Sequence, residues 1–235
     1  SKEFIVFDIS TPGSITEVAF LNFSGSDNAL SVHGSGNAVY VGRKESSNPE
    51  LVVINVTAPT SPTIATSIET IDDINDITVT SGRLYLVSEE SNSDLRIYDV
   101  ANELSPQLLV SYNLVQGGEL ISVWFAEPGN VMAGDHTNAI FILGATTTSQ
   151  IYVRDSLVVG GGVNDIVCVG NQLAFISTSN SIKEFMIINI ADPDNITEYA
   201  SFNFPQNGTG VDFAENKVFM SVKSNDALRI ITSGP

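Results

Sequence analysis

Leu95-Arg96-Ile97-Tyr98-Asp99-Val100 is one statement of a phrase that this 235-residue chain makes six times. The others are Phe4-Ile5-Val6-Phe7-Asp8-Ile9, Leu51-Val52-Val53-Ile54-Asn55-Val56, Ile140-Phe141-Ile142-Leu143-Gly144-Ala145, Phe185-Met186-Ile187-Ile188-Asn189-Ile190 and Leu228-Arg229-Ile230-Ile231-Thr232. Their first residues lie 47, 44, 45, 45 and 43 positions apart. A period held that closely marks a repeat architecture in which each unit is one supersecondary element.

Working outward from the phrase, each unit reads the same way. After Leu51–Val56 come Pro59 and Pro62, a run at Ile64–Ile68, a break at Asp72-Asp73, a run from Asp76 to Val79, the turn Ser81-Gly82, and Leu84–Val87. These are four short apolar runs with Gly, Pro and Asp between them, and no stretch sustains a 3.6-residue period. The phrases themselves are apolar on both sides, so both faces of their sheet must be covered. Stacked four-stranded blades do that. The expected fold is all-β: a five-bladed β-propeller of four-stranded antiparallel blades over residues 1–235 as a single domain. With the phrase as third strand, the chain supplies five first-and-second pairs, five fourth strands and six third strands. The N- and C-terminal strands are therefore expected to close one blade. Either Phe4–Ile9 or Leu228–Ile231 is then surplus, free to extend that blade or to pair with a neighbouring molecule. A third alternative is that these residues are cut from a longer array.

Asp8, Asn55, Asp99 and Asn189 close the phrase just before a turn. A short polar side chain there can accept a bond from the backbone two residues on, which assigns them a structural role.

The phrases at Phe4–Pro12, Leu95–Val100 and Phe185–Pro193 resemble the LVIVD repeat, as do Asn75–Val79, Ser81–Val87 and Asn164–Val167 from later in the unit. The resemblance covers nearly the whole chain, with a departure at Gly144-Ala145. It implies a microbial propeller, often exported or surface-exposed, and supplies no catalytic residues.

The charge is lopsided. Asp and Glu number 27 against 10 Lys and Arg, a formal net charge of −17, while charged residues make up only 16%. The cations are scattered, so no basic face is offered to a nucleic-acid backbone or an anionic bilayer. No run of 18 apolar residues is present to span a membrane. Cys168 is the single cysteine and sits in an apolar run, where it reads as a small buried hydrophobe.

Chemistry has one candidate. Asp27, Asp76, Glu119 and Asp165 each fall at the start of an expected inner strand, so they could ring one mouth of a channel. The sharp reading is a calcium site, the one cofactor the sequence leaves open, or a glycosidase-like carboxylate set. The bland reading, which the repetition favours, is a cap accepting backbone N–H groups. His33 and His136 fall in different units and read as solvated loop residues. Asp72-Asp73 and Asp192-Pro193-Asp194-Asn195 are acidic loops with weak cation-holding capacity. The balance favours a non-enzymatic binding or structural module, extracellular or on a cell surface, serving adhesion, matrix or an extracellular assembly. Its expected partners are a protein or glycan surface, with self-association through the surplus terminal strand. The alternative is a propeller hydrolase using the channel-mouth carboxylates.

Overall fold

The computed structural model describes residues 2–25, 28–88, 93–114, 119–126, 129–147, 150–204, 206–225 and 227–232. All regular structure in them is strand. In chain order the strands are β1 (Phe4–Asp8), β2 (Thr16–Leu21), β3 (Ala29–Ser35), β4 (Ala38–Arg43), β5 (Leu51–Asn55) and β6 (Thr63–Ile68). Next come β7 (Ile74–Thr80), β8 (Arg83–Ser88), β9 (Leu95–Asp99), β10 (Gln107–Tyr112), β11 (Leu120–Ala126), β12 (Asn130–Asp135), β13 (Ala139–Thr147) and β14 (Gln150–Val158). The last are β15 (Val163–Val169), β16 (Leu173–Thr178), β17 (Phe185–Asn189), β18 (Thr197–Phe202), β19 (Gly208–Ala214), β20 (Lys217–Val222) and β21 (Leu228–Thr232).

The strands pair in sequence order. Four antiparallel sheets have four strands each: β3–β6, β7–β10, β11–β14 and β15–β18. With the three-stranded β19-β20-β21 they are the blades of an all-β, five-bladed propeller, and β1-β2 adds a two-stranded ladder. The chain ends thus form two ladders. β20 already pairs with β21 from Lys217 to Ser221, so the third-strand place is filled there, and β1 keeps its local partner β2. Hairpin turns account for the local order. Between β7 and β8, Ser81 and Gly82 both take positive φ, as do Glu215 and Asn216 between β19 and β20, the geometry of the tightest two-residue connections.

Two compact units are distinguished, Ser1–Glu90 with Arg96–Leu109 and Ser91–Leu95 with Val110–Pro235. In the first, Tyr40, Leu51 and Val53 of one sheet pack against Ile74, Ile77 and Leu84 of the next. On the opposite face, Phe4 and Leu21 of the β1-β2 hairpin pack against Val41, Val52 and Ile54. In the second unit, Met132, Ile140 and Ile142 meet Ile166 and Ile176, and Phe175 and Phe185 meet Val211 and Met220. One face of a sheet covers the opposite face of its follower. The phrase strands are buried on both sides because they lie in the middle of these stacks.

The phrase-closing residues do what the spacing predicts. Asp8, Asn55, Asp99 and Asn189 each accept the N–H two residues on, from Ser10, Thr57, Ala101 and Ala191, at 2.8–3.0 Å. Gly144 breaks the series for a steric reason. A side chain there would run into the Tyr152 ring, and β13 continues to Thr147 with no turn to cap.

Candidate functional site

The first strand of every blade carries a register shift near its start, between its first and third residues. The third residue is Ser31, Asp76, Ser122, Asp165 or Gly210 in turn. At this bulge Ser31, Ser122 and Asp165 turn their side chains to the first strand of the following sheet. Ser31 Oγ donates to the Ile74 carbonyl at 3.1 Å, and Ser122 Oγ donates to the Val163 carbonyl at 2.6 Å. Asn164 Nδ2 reaches the Gly208 carbonyl at 2.6 Å. Gly42 and Gly134, opposite the two serines, leave room that a Cβ would fill against Ile74 and Val163.

The two aspartates at this position turn their carboxylates to the backbone. Asp76 Oδ1 accepts the Ile77 N–H at 2.8 Å. Asp165 Oδ1 accepts the Ile166 N–H and Oδ2 the Val211 N–H of the following sheet, both at 2.8 Å. Burial raises the Asp165 carboxyl above its ordinary range, partly offset by those two N–H bonds.

Asp27 lies outside the described residues. Glu119 precedes β11, is exposed, and places Oε2 3.6 Å from His136 Nδ1. Glu119 is thus three residues ahead of Ser122, the register equivalent of Asp165. His33 is a half-buried strand residue rather than a solvated loop histidine, and burial lowers its pKa.

The acidic loops are engaged within the chain. Asp73 accepts the Glu45 N–H at 2.6 Å and lies 3.3 Å from Lys44 Nζ. Asp194 takes a two-pronged bond from Arg154, which holds its carboxyl below the usual range. Among the described residues, no three His, Cys, Asp or Glu side chains are grouped to hold a metal ion. Cys168 packs against the β15–β18 core, and burial pushes its thiol up to about 12.

A second set of carboxylates was not singled out from the sequence. Glu3, Glu50, Asp94 and Glu184 stand directly before four of the phrases. Each accepts a backbone N–H from a residue 20 positions later, Phe23, Thr70, Leu114 and Phe204, at 3.1, 2.8, 2.6 and 2.7 Å. An acidic residue recurring just ahead of the phrase was the signal. In the unit between the last two, the Asn138 carbonyl does this work, accepting from Val159 and Gly160.

The remaining feature is apolar. The third residue of the second strand and the first and third of the phrase share one face of each sheet. In β15–β18 these are Phe175, Phe185 and Ile187, with Phe185 fully buried. In β19–β21 the same positions hold Phe219, Leu228 and Ile230, where Leu228 is 60% and Ile230 57% exposed. At the start of the chain, the outer face of the β1-β2 hairpin shows Phe7 at 51% and Phe20 at 46%. Beside it, Val32 is 64% exposed and borders a groove of about 250 Å³ with Phe4, Ile5 and Val41.

Residues 26–70 match the model of the LVIVD repeat. The LVIVD match spans one complete phrase with the strands on either side of it. No curated protein matches the chain. Among solved structures, a functionally unknown protein from Desulfotomaculum acetoxidans DSM 771 is similar over 92% of this chain and 69% of its own, at 12% identity and TM-score 0.75. A chain of the mitotic checkpoint complex aligns over 98% of this chain and 70% of its own, at 14% identity and TM-score 0.72. A chain of a nidogen/laminin complex aligns over 94% and 81%, at 8% identity and TM-score 0.66. At such identities the likeness is one of fold.

Proposed function

We propose that this protein is a non-enzymatic binding module, extracellular or on a cell surface, that engages a protein partner through apolar sheet faces. The observation that carries this reading is the apolar pair Leu228 and Ile230 exposed on β21 beside a half-buried Phe219, where the matching Phe185 of the preceding sheet is buried. Large apolar side chains in one uncovered patch favour protein association. Of the carboxylates that hydrolysis would use, Asp165 is engaged by the main chain, both its oxygens accepting N–H bonds. Two of the similar folds come from structures named as protein complexes, nidogen/laminin and mitotic checkpoint, which agrees with a protein partner. Calcium has no assigned role in this reading.

The test pairs binding with turnover. Immobilised protein is probed with purified extracellular-matrix proteins and a glycan array, while chromogenic glycosides and esters are offered in solution. Saturable protein binding that disappears in Leu228→Asp is expected, with no turnover. Hydrolysis abolished by Asp76→Asn or Asp165→Asn would overturn the reading in favour of a propeller hydrolase.

A further inference from the structure

Among the acidic residues that stand ahead of a phrase and clasp a backbone N–H 20 positions later, Glu50 is engaged differently. Its Oε2 accepts three bonds: the Thr70 N–H at 2.8 Å, the Thr70 hydroxyl at 3.2 Å and the Ile71 N–H at 3.1 Å. Ile71 takes φ 73°, left-handed backbone that a β-branched residue rarely adopts, so these bonds hold a strained corner between β6 and β7. Glu50 is fully buried, yet its other oxygen, Oε1, meets no N–H or O–H donor. A buried acceptor left without a donor destabilises the fold.

The residue preceding Thr70 can provide that donor. Just before the clasped N–H stand Asn22, Asn113 and Asn203 in the three sister clasps, and Glu69 in this one. A carboxamide donates at any pH, whereas a carboxyl donates only while it keeps its proton. Glu69 is exposed as a whole, but its carboxyl is hydrogen-bonded to that of Glu50. Loss of solvent around it, then the Glu50 charge and that bond, raise the Glu69 carboxyl above its ordinary range. The Ile71 N–H pulls it the other way, and Glu45 adds repulsion. The remaining charges around the corner are engaged nearby. Asp73 accepts the Glu45 N–H and lies 3.3 Å from Lys44 Nζ, while Asp72 Oδ1 accepts the Asp73 N–H. Arg96 donates to the Thr70 carbonyl at 2.9 Å, and Arg43 donates to the Pro49 and Ser24 carbonyls.

We propose that Glu69 and Glu50 share one proton, which latches the Thr70–Ile71 corner in mild acid and releases it as pH rises. With the proton in place, Glu69 donates to Glu50 Oε1 and both oxygens of the clasp are paired. Without it, two carboxylates oppose each other across a hydrogen-bond distance and the strained corner opens. The sign follows from the raised carboxyl. Its contribution is present in full below the ordinary value of 4.5 and is lost as pH rises through the higher value of the folded state.

The experiment is amide hydrogen exchange on the full chain between about pH 5 and about pH 8, corrected for intrinsic exchange, alongside a carbon-detected titration of the Glu69 carboxyl. Protection at Thr70 and Ile71 is expected to fall as pH rises, approaching about tenfold for each unit by which Glu69 stands above its ordinary value. The Leu114 and Phe204 amides, clasped by Asp94 and Glu184 beside Asn113 and Asn203, are expected to show no such fall. Glu69→Gln keeps the length of the side chain and donates at every pH, so it should hold Thr70 and Ile71 at the high level throughout. Protection that is flat with pH in wild type, or a fall that persists in Glu69→Gln, would overturn the proposal. So would a variant that is weakly protected at every pH, or a Glu69 carboxyl that titrates at its ordinary value.

Discussion

The sheets β15–β18 and β19–β21 share register, turn placement and bulge, yet they differ in what lies over them. Phe185 begins the phrase in one and is fully buried; Leu228 begins it in the other and is 60% exposed. The residues are of similar kind, so the contrast comes from the neighbour and not from the strand. In a stacked fold, the cost of removing an apolar side chain is set by the next sheet.

That contrast can be broken at several points. Phe185→Ala empties a fully buried site and is expected to cost about 3–5 kcal/mol in urea unfolding. Leu228→Ala, at the matching position, should change stability by no more than about 0.5 kcal/mol. Equal losses at the two positions would show that the end sheet is covered after all. Between these extremes lies Glu184→Ala. It strips a buried acceptor from the Phe204 N–H and is expected to cost about 1–3 kcal/mol. A smaller loss, about 0.5 kcal/mol, is expected for Asn189→Ala, because the Ala191 N–H freed there is exposed to water.

The smallest effect is one of pH. Burial raises Asp165 in the folded state, so the native protein holds that proton more tightly than the unfolded chain. Its ionisation therefore lowers stability above the folded pKa. That penalty is relieved as pH falls through the raised pKa toward the ordinary value of 3.8. Asp194, held low by Arg154, has the opposite sign and loses its contribution as pH falls, an effect that exposure to solvent keeps small. Acid titration of Asp165→Asn against wild type should isolate the first effect as a flatter stability profile between neutrality and about pH 4.

Much of the fold was legible because its signals are local. The six phrases became β1, β5, β9, β13, β17 and β21, and the four Asp and Asn caps bond as their spacing required. The candidate site was less legible. Asp76 and Asp165 share a register position with Ser31 and Ser122, and Glu119 lies three residues ahead of it. A bulge between the first and third residues sets that register, and hydropathy does not mark it. The clasp from Glu184 to Phe204 was only half legible: the acidic residue recurs ahead of the phrase, but the donor it fastens lies 20 residues on, across a hairpin. The exposure of Leu228 and Ile230 was missed because the phrase spells the same apolar run whether or not a neighbour covers it.

The clasp has an evolutionary corollary. Each acidic residue ahead of a phrase fastens the outer hairpin of its own unit, so a duplicated segment of about 45 residues carries its fastening with it. Lengthening or shortening such a gene by whole copies then creates no orphaned carboxylate. Selection could vary the number of blades without redesigning any one of them.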